Sequence, residues 1–171
     1  WEEGLPSFDV VIHDQTYCHV ALLVGGIHNV MNALAAATAA YVLGLPGQAV
    51  SEGLASFTGA GRRFEYKGTY HGARIYDDYA HHPGELHALL QMARSLGYQR
   101  IICAFQPHTY SRTRALFDDF VRELQAADVV LLAEIYAARE KNTIGISSKD
   151  LAAQLPGSIY CPTLEDVTHH L

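Results

Sequence analysis

The chain has 171 residues, 49% of them hydrophobic and 18% charged, with a formal net charge of −6. This is the balance of a globular protein with a core, not of a disordered chain, and it offers no electrostatic basis for nonspecific binding to nucleic acid or an anionic membrane. No stretch reads as a signal peptide, and no uncharged apolar run reaches the roughly 18 residues of a membrane helix. The cysteines, Cys18, Cys103 and Cys161, are odd in number and far apart. They predict reduced thiols in a cytoplasmic setting, not a disulfide framework or zinc site.

In chain order, Phe8–His13 and His19–Val24 read as strands of a hairpin turning at Asp14–Gln15. Gly25–Gly26 breaks the pattern, and His28–Leu43 reads as an Ala-rich helix closed by Gly44. Pro46 opens a second helix to about Phe57, and Thr58–Gly61 (TGAG) is a linker. Phe64–Lys67 and Ala73–Tyr79 predict another hairpin. Then follow helix Pro83–Leu96, strand Arg100–Phe105 and helix Arg112–Ala126 with Ser111 as its cap. Strand Asp128–Leu132, a polar loop Glu134–Ser147, helix Ser148–Gln154, strand Ser158–Cys161 and a helix from Leu164 complete the chain. This alternation predicts an α/β, Rossmann-like fold with a mostly parallel sheet over roughly the last 110 residues.

The stretch Phe105–Arg114 (FQPHTYSRTR) joins a strand to a helix, where open α/β sheets bind ligands. His108, Arg112 and Arg114 at a helix start suit a carboxylate or phosphate, through bidentate guanidinium pairing and helix amides. An exposed polar loop with solvated arginines is the alternative. Asp77-Asp78-Tyr79-Ala80-His81-His82-Pro83 lies between a strand and a helix with Pro83 at its first position. Its two carboxylates and two histidines offer ligands for a divalent ion, or acceptors for ribose hydroxyls.

Asn29 and Asn32, three apart, can share a face of the first helical turn, with the donor and acceptor pair that reads an adenine edge. Simple capping by Asn29 is the alternative. Arg62–Arg63 follows the linker and could clamp a nucleotide or be solvated. The charges of Ala137–Lys141 (AAREK) read as solvated loop charges.

In this order, HNVMNALAA (28–36), RRFE (62–65), DDYAHHP (77–83), FQPHTYSRTR (105–114) and IYAAREK (135–141) resemble the Mur ligase family over essentially the whole chain. Each motif is weak alone; the ordered set is specific. The resemblance implies residues 1–61 as the tail of a central ATPase domain and 62–171 as most of a C-terminal Rossmann-like domain. It implies a cytoplasmic, ADP-forming ligase that uses ATP and Mg2+ or Mn2+ to join L-alanine to UDP-N-acetylmuramate in peptidoglycan synthesis. No glycine-rich G-K-[ST] loop is present, so the resemblance also implies missing N-terminal and central domains and an inactive fragment.

By the same resemblance, Asn29 and Asn32 would face adenine, and Arg63 and Asp78 would contact ribose or phosphate. His81 would reach the metal, His108 and Arg112 would hold L-alanine, and Tyr79 would shape the space near its methyl. Many relatives carry arginine after the histidine of the QPH motif, where this chain has Thr109. Arg112, with Arg114, would then carry the carboxylate contact. The linker would be a hinge for domain closure. The rival readings are a murein-peptide ligase, which the intact FQPHTYSRT run disfavours, a folylpolyglutamate synthase, which the double histidine disfavours, and a non-catalytic nucleotide- or amino-acid-binding module.

Overall fold

The computed structural model describes residues 5–171. They form two compact units, one ending at Asp78 and the other running from Tyr79 to Leu171.

The first unit opens with a hairpin of β1 (Ser7–Ile12) and β2 (Gln15–Ala21). His13 and Asp14, at φ 50° and 61°, make its two-residue turn, the geometry that matches the twist of paired strands. The second strand therefore starts four residues before the predicted His19. Gln15 and Thr16 pair with Ile12 and Val11 although their polarity hides them in the sequence. Helix α1 (Ile27–Val42) follows, and Gly44 after it sits at φ 75°. Val10, Cys18 and Val20 of the hairpin pack with Leu22, Ala33 and Ala37 of α1, and Val50 in one core.

Helix α2 (Gly47–Ala55) starts after Pro46. A Cβ on Gly47 would lie 1.9 Å from the Tyr17 carbonyl oxygen, so only glycine allows the helix to approach β2 this closely. Residues 57–60 have no regular structure. β3 (Glu65–Tyr70) and β4 (Ala73–Asp77) then pair antiparallel through His71 and Gly72, at φ 48° and 85°. The strand predicted to end at Tyr79 thus stays out of the parallel sheet: a two-residue turn delivers β4 to β3 without a long crossover.

The second unit alternates α3 (Pro83–Ser95), β5 (Ile102–Phe105), α4 (Tyr110–Ala115), α5 (Phe117–Leu124), β6 (Val129–Ala133), α6 (Ser148–Gln154), β7 (Ile159–Cys161) and α7 (Leu164–His169). Its three strands form a parallel sheet in the order β5-β6-β7. β6 is central and apolar on both faces, as a doubly covered strand must be. Val130 and Leu132 join Leu86, Phe105, Phe120, Leu124, Leu151 and Leu155, which brings α3, α5 and α6 onto one face. Leu131 and Ala133 meet Cys161 and Val167 of α7 on the other.

The helix predicted over Arg112–Ala126 is two helices, broken at Leu116 (φ −115°, ψ 24°). The cysteines are free thiols, and burial pushes the Cys103 thiol up to about 12. Among the described residues no helix is long and apolar enough to cross a membrane.

Candidate active site

In the second unit, the chain leaving β5 and the chain leaving β6 run on side by side. The Tyr136 amide donates to the Pro107 carbonyl and the Thr109 amide to the Tyr136 carbonyl, each at 2.9 Å, so His108 and Tyr136 form a parallel bridge. Gln106 Nε2 adds a bond to the Glu134 carbonyl at 3.0 Å. The strip 106–112 is thereby fixed at the carboxyl ends of the strands, where this class of sheet carries its ligands.

The start of α4 differs from the expectation. Thr109, not Ser111, is the N-cap residue, and it stands at φ 66°, ψ 144°. A β-branched residue at positive φ is strained by about 1–3 kcal/mol. Ser111 lies inside the helix and gives its amide (2.9 Å) and its hydroxyl to the Glu140 carboxylate. Those hydrogen bonds hold the Glu140 carboxyl below its ordinary range. Glu140 is therefore not a solvated loop charge, and the Ser111 amide is not open to a ligand. Anion binding at this strip rests on side chains.

Two of those side chains are prepared for it. His108 Nδ1 and Arg112 Nη1 are buried and have no hydrogen-bond partner. Unmet buried donors and acceptors are rare and call for an explanation, and these two lie in the same strip. Around them lies a row of rings: Tyr79 to His81 at 5.3 Å between centroids, His81 to His108 at 6.3 Å, and His108 to Tyr136 at 5.5 Å. Tyr79 and Tyr136 at its two ends are 51% and 55% exposed. The structure thus brings Tyr79, His81, His108 and Tyr136 together beside Arg112's strip.

The histidine pair divides its work. His82 is the N-cap of α3, its Nδ1 accepting from the Gly84 amide at 3.2 Å, while Glu85 accepts from the amides of His81 (2.9 Å) and His82 (3.2 Å). His81 Nδ1 lies 3.0 Å from the Tyr79 carbonyl and 3.3 Å from Glu85 Oε2, both acceptors, so it carries the proton. Its lone pair is then on Nε2, the tautomer that ligates metals.

The carboxylates expected to join that histidine have other partners. Asp77 Oδ2 accepts from Arg62 Nε at 3.3 Å, and Asp78 Oδ2 accepts from the Phe64 amide at 2.8 Å. Asp78 so ties down the turn in which Arg62 and Phe64 hold φ 56° and 48°, with exposed Arg63 between them. No group of three or more His, Cys, Asp or Glu among the described residues is gathered to hold a metal ion. Of the two histidines at Asp77–His82, His81 is the one whose Nε2 keeps a lone pair. One imidazole nitrogen suffices for an ion whose remaining ligands come from phosphate oxygens and water.

Asn29 is not a cap: Gly26 holds that position at φ 95°. Asn29 Nδ2 donates to the Gly25 carbonyl at 2.8 Å, and Asn32 Nδ2 lies 3.4 Å from Asn29 Oδ1, so the two amides do share a face.

Three residues of the second unit carry more than the sequence suggests. Tyr136 completes the ring row, and Glu140 clamps α4. Glu134 accepts from the Ile135 and Ser148 amides, the Ser147 hydroxyl and the Tyr160 hydroxyl at 2.6–3.1 Å. Burial pushes its carboxyl up, but these hydrogen bonds outweigh it and the net direction is down. The signal for Tyr136 and Glu140 was the IYAAREK motif itself, whose charges look solvent-exposed in isolation.

A parallel sheet covered by helices on both faces, with a polar strip beyond its strand ends, defines an α/β domain. Residues 62–171 match the family described as Mur ligase, glutamate ligase domain, and the chain belongs to the Mur ligase family. It is 47% identical over 173 residues to a UDP-N-acetylmuramate–L-alanine ligase of Agathobacter rectalis, a match covering 99% of this chain and 36% of that protein. The solved UDP-N-acetylmuramate–alanine ligase from Thermotoga maritima superposes with a TM-score of 0.79 at 28% identity, covering 98% of this chain and 37% of that one. A murein peptide ligase from Psychrobacter arcticus gives 0.67 at 25% identity, over 96% and 35%. The chain spans a little over a third of the length of these relatives.

Proposed function

We propose that the protein to which this chain belongs is an ATP-dependent, ADP-forming ligase that joins L-alanine to UDP-N-acetylmuramate. The muramyl carboxylate oxygen attacks the γ-phosphorus of ATP and ADP leaves. The amine of L-alanine then attacks the acyl-phosphate carbon, the amine loses a proton, and phosphate departs as the amide forms. No covalent enzyme nucleophile is needed, because the acyl phosphate is the activated species. The protein's task is to hold anionic reactants in register.

The observation that carries this reading is the pair of unsatisfied nitrogens, His108 Nδ1 and Arg112 Nη1, in one strip. Arg112 takes the carboxylate of L-alanine, a charge-assisted contact suited to guanidinium. His108 holds the amino acid beside it, and Tyr79 borders the methyl group. Asn29 and Asn32 face adenine with the amide groups they do not spend on each other or on Gly25. Arg63 and Asp78 contact ribose or phosphate, with Asp78 also ordering the turn beneath Arg63. His81 Nε2 supplies one ligand to Mg2+ or Mn2+, which when bound neutralises phosphate charge. The site is cytoplasmic and is completed by the N-terminal and central parts of the same polypeptide. We place the domain boundary at Gly61, next to the start of the family match at residue 62.

The test is phosphate release by the full-length protein given ATP, Mg2+ and UDP-N-acetylmuramate, with L-alanine in one arm and the stem tripeptide in another. Release that needs L-alanine, with Arg112→Ala raising its KM about 10- to 150-fold, supports the reading, since a hydrogen bond to a charged group is worth about 1.5–3 kcal/mol. Release with tripeptide alone would move the assignment to a peptide ligase. No acceptor-dependent release would leave a binding module.

A further inference from the structure

A single loop restrains the candidate site from one end to the other. Four positions of the strip are tied to it: Gln106 to the Glu134 carbonyl, the Pro107 carbonyl and Thr109 amide to Tyr136, and Ser111 to Glu140. His108 stands between two of these ties and Arg112 directly after the last, each with an unpaired nitrogen. The strip also contains Thr109 in its strained conformation, with the Thr113 amide (3.1 Å) and hydroxyl (2.7 Å) both donating to its carbonyl. Such strain persists only where the surroundings over-determine it.

Glu140 is the outermost tie and the only one made by a carboxylate. It accepts the Ser111 amide, one of the helix-start donors that have no partner within the helix. It is held in place by its own turn, its amide donating to the Ala137 carbonyl at 2.9 Å beside Ala138 at φ 52°. Its two oxygens accept from Ser111, next to Arg112, with the Tyr110 amide and Thr109 hydroxyl also bonded to the carboxylate, and Arg112 Nη1 stays unpaired. A carboxylate directed at the guanidinium would compete with a substrate carboxylate; one directed at Ser111 fixes the turn and leaves the guanidinium available.

We propose that Glu140 is a positioning residue: by clamping Ser111 it holds the strained Thr109 turn and aims Arg112 and His108 at the carboxylate of the amino-acid substrate. This rests on the reading of Arg112 and His108 as the amino-acid site.

In the full-length protein, Glu140→Ala raises the KM for L-alanine about 10-fold while kcat and the KM values for ATP and UDP-N-acetylmuramate stay within about twofold. Ser111→Ala, which removes only the hydroxyl contact, gives a smaller rise, and the double variant is no worse than Glu140→Ala, because both changes break one interaction. Glu140→Gln, which keeps an acceptor for Ser111, restores most of the loss. An unchanged KM for L-alanine in both single variants would overturn the proposal. So would additive effects, or an equal rise for all three substrates. Amide hydrogen exchange over 109–113, without substrates, must also quicken in Glu140→Ala; unaltered exchange sinks the clamp by itself. Wild-type protein with no L-alanine-dependent phosphate release would instead overturn the ligase reading, and the exchange result would still decide the clamp.

Discussion

His81 and His82 are neighbours in the chain but use the same ring nitrogen in opposite senses. Nδ1 of His81 donates to the Tyr79 carbonyl at 3.0 Å, whereas Nδ1 of His82 accepts from the Gly84 amide at 3.2 Å. Each bond fixes a tautomer, so one imidazole presents a basic Nε2 beside the His108 ring and the other is a helix cap.

The two histidines should therefore separate stability from activity. His82→Ala removes a cap and is expected to cost about 0.5–2 kcal/mol in denaturant unfolding. Residual turnover of the folded full-length enzyme should stay near wild type. His81→Ala should do the reverse, with a small change in stability and a severe loss of kcat. Equal behaviour of the two variants in both assays would refute the division.

Glu134 gives a pH dependence of definite sign. Its folded-state pKa is lowered, since the bonds from Ser147, Ile135, Ser148 and Tyr160 outweigh the effect of burial. Its stabilisation is present above the unfolded value of about 4.3 and is lost as pH falls through the folded one. Asp128, held down by Arg94, and Asp166, held down by Thr163, shift in the same direction. Urea unfolding should show stability independent of these groups above about pH 5 and declining below about pH 4. Glu134→Gln should be weaker by about 1–3 kcal/mol at pH 7, with a shallower decline in acid. An unchanged one would show that other carboxylates dominate.

Two glycines of α2 should respond oppositely to alanine. At Gly47 the new Cβ meets the Tyr17 carbonyl oxygen at 1.9 Å, and the overpacking is expected to cost about 1–3 kcal/mol or more. At Gly53 nothing lies within 4 Å, and Gly53→Ala should stabilise the helix by up to about 1 kcal/mol. Thermal midpoints of the two variants on either side of wild type would verify the contact, and a neutral Gly47→Ala would contradict it.

Much of the architecture is legible locally. The run Val129–Ala133 is apolar at every position because β6 is covered on both faces. Ser147 with Asp150 and Thr163 with Asp166 announce α6 and α7 through reciprocal caps, which need only residues three apart. The strip Phe105–Arg114 is recognisable from an apolar strand that ends in a crowd of polar residues. Family membership too is written in the order of short motifs, since spacing along the chain survives without knowledge of contacts.

What could not be read this way depends on segments far apart in sequence. Ser111 and Glu140 are 29 residues apart, and their hydrogen bonds turn an apparent cap into a clamped residue and an apparent solvated charge into its anchor. The parallel bridge of His108 with Tyr136 and the bond from Gln106 to the Glu134 carbonyl are of the same kind. Propensity and periodicity report each segment's preference for a shape. Which polar atom finds which partner is set by the closure of long loops and the register of the sheet, and those arise when the chain packs.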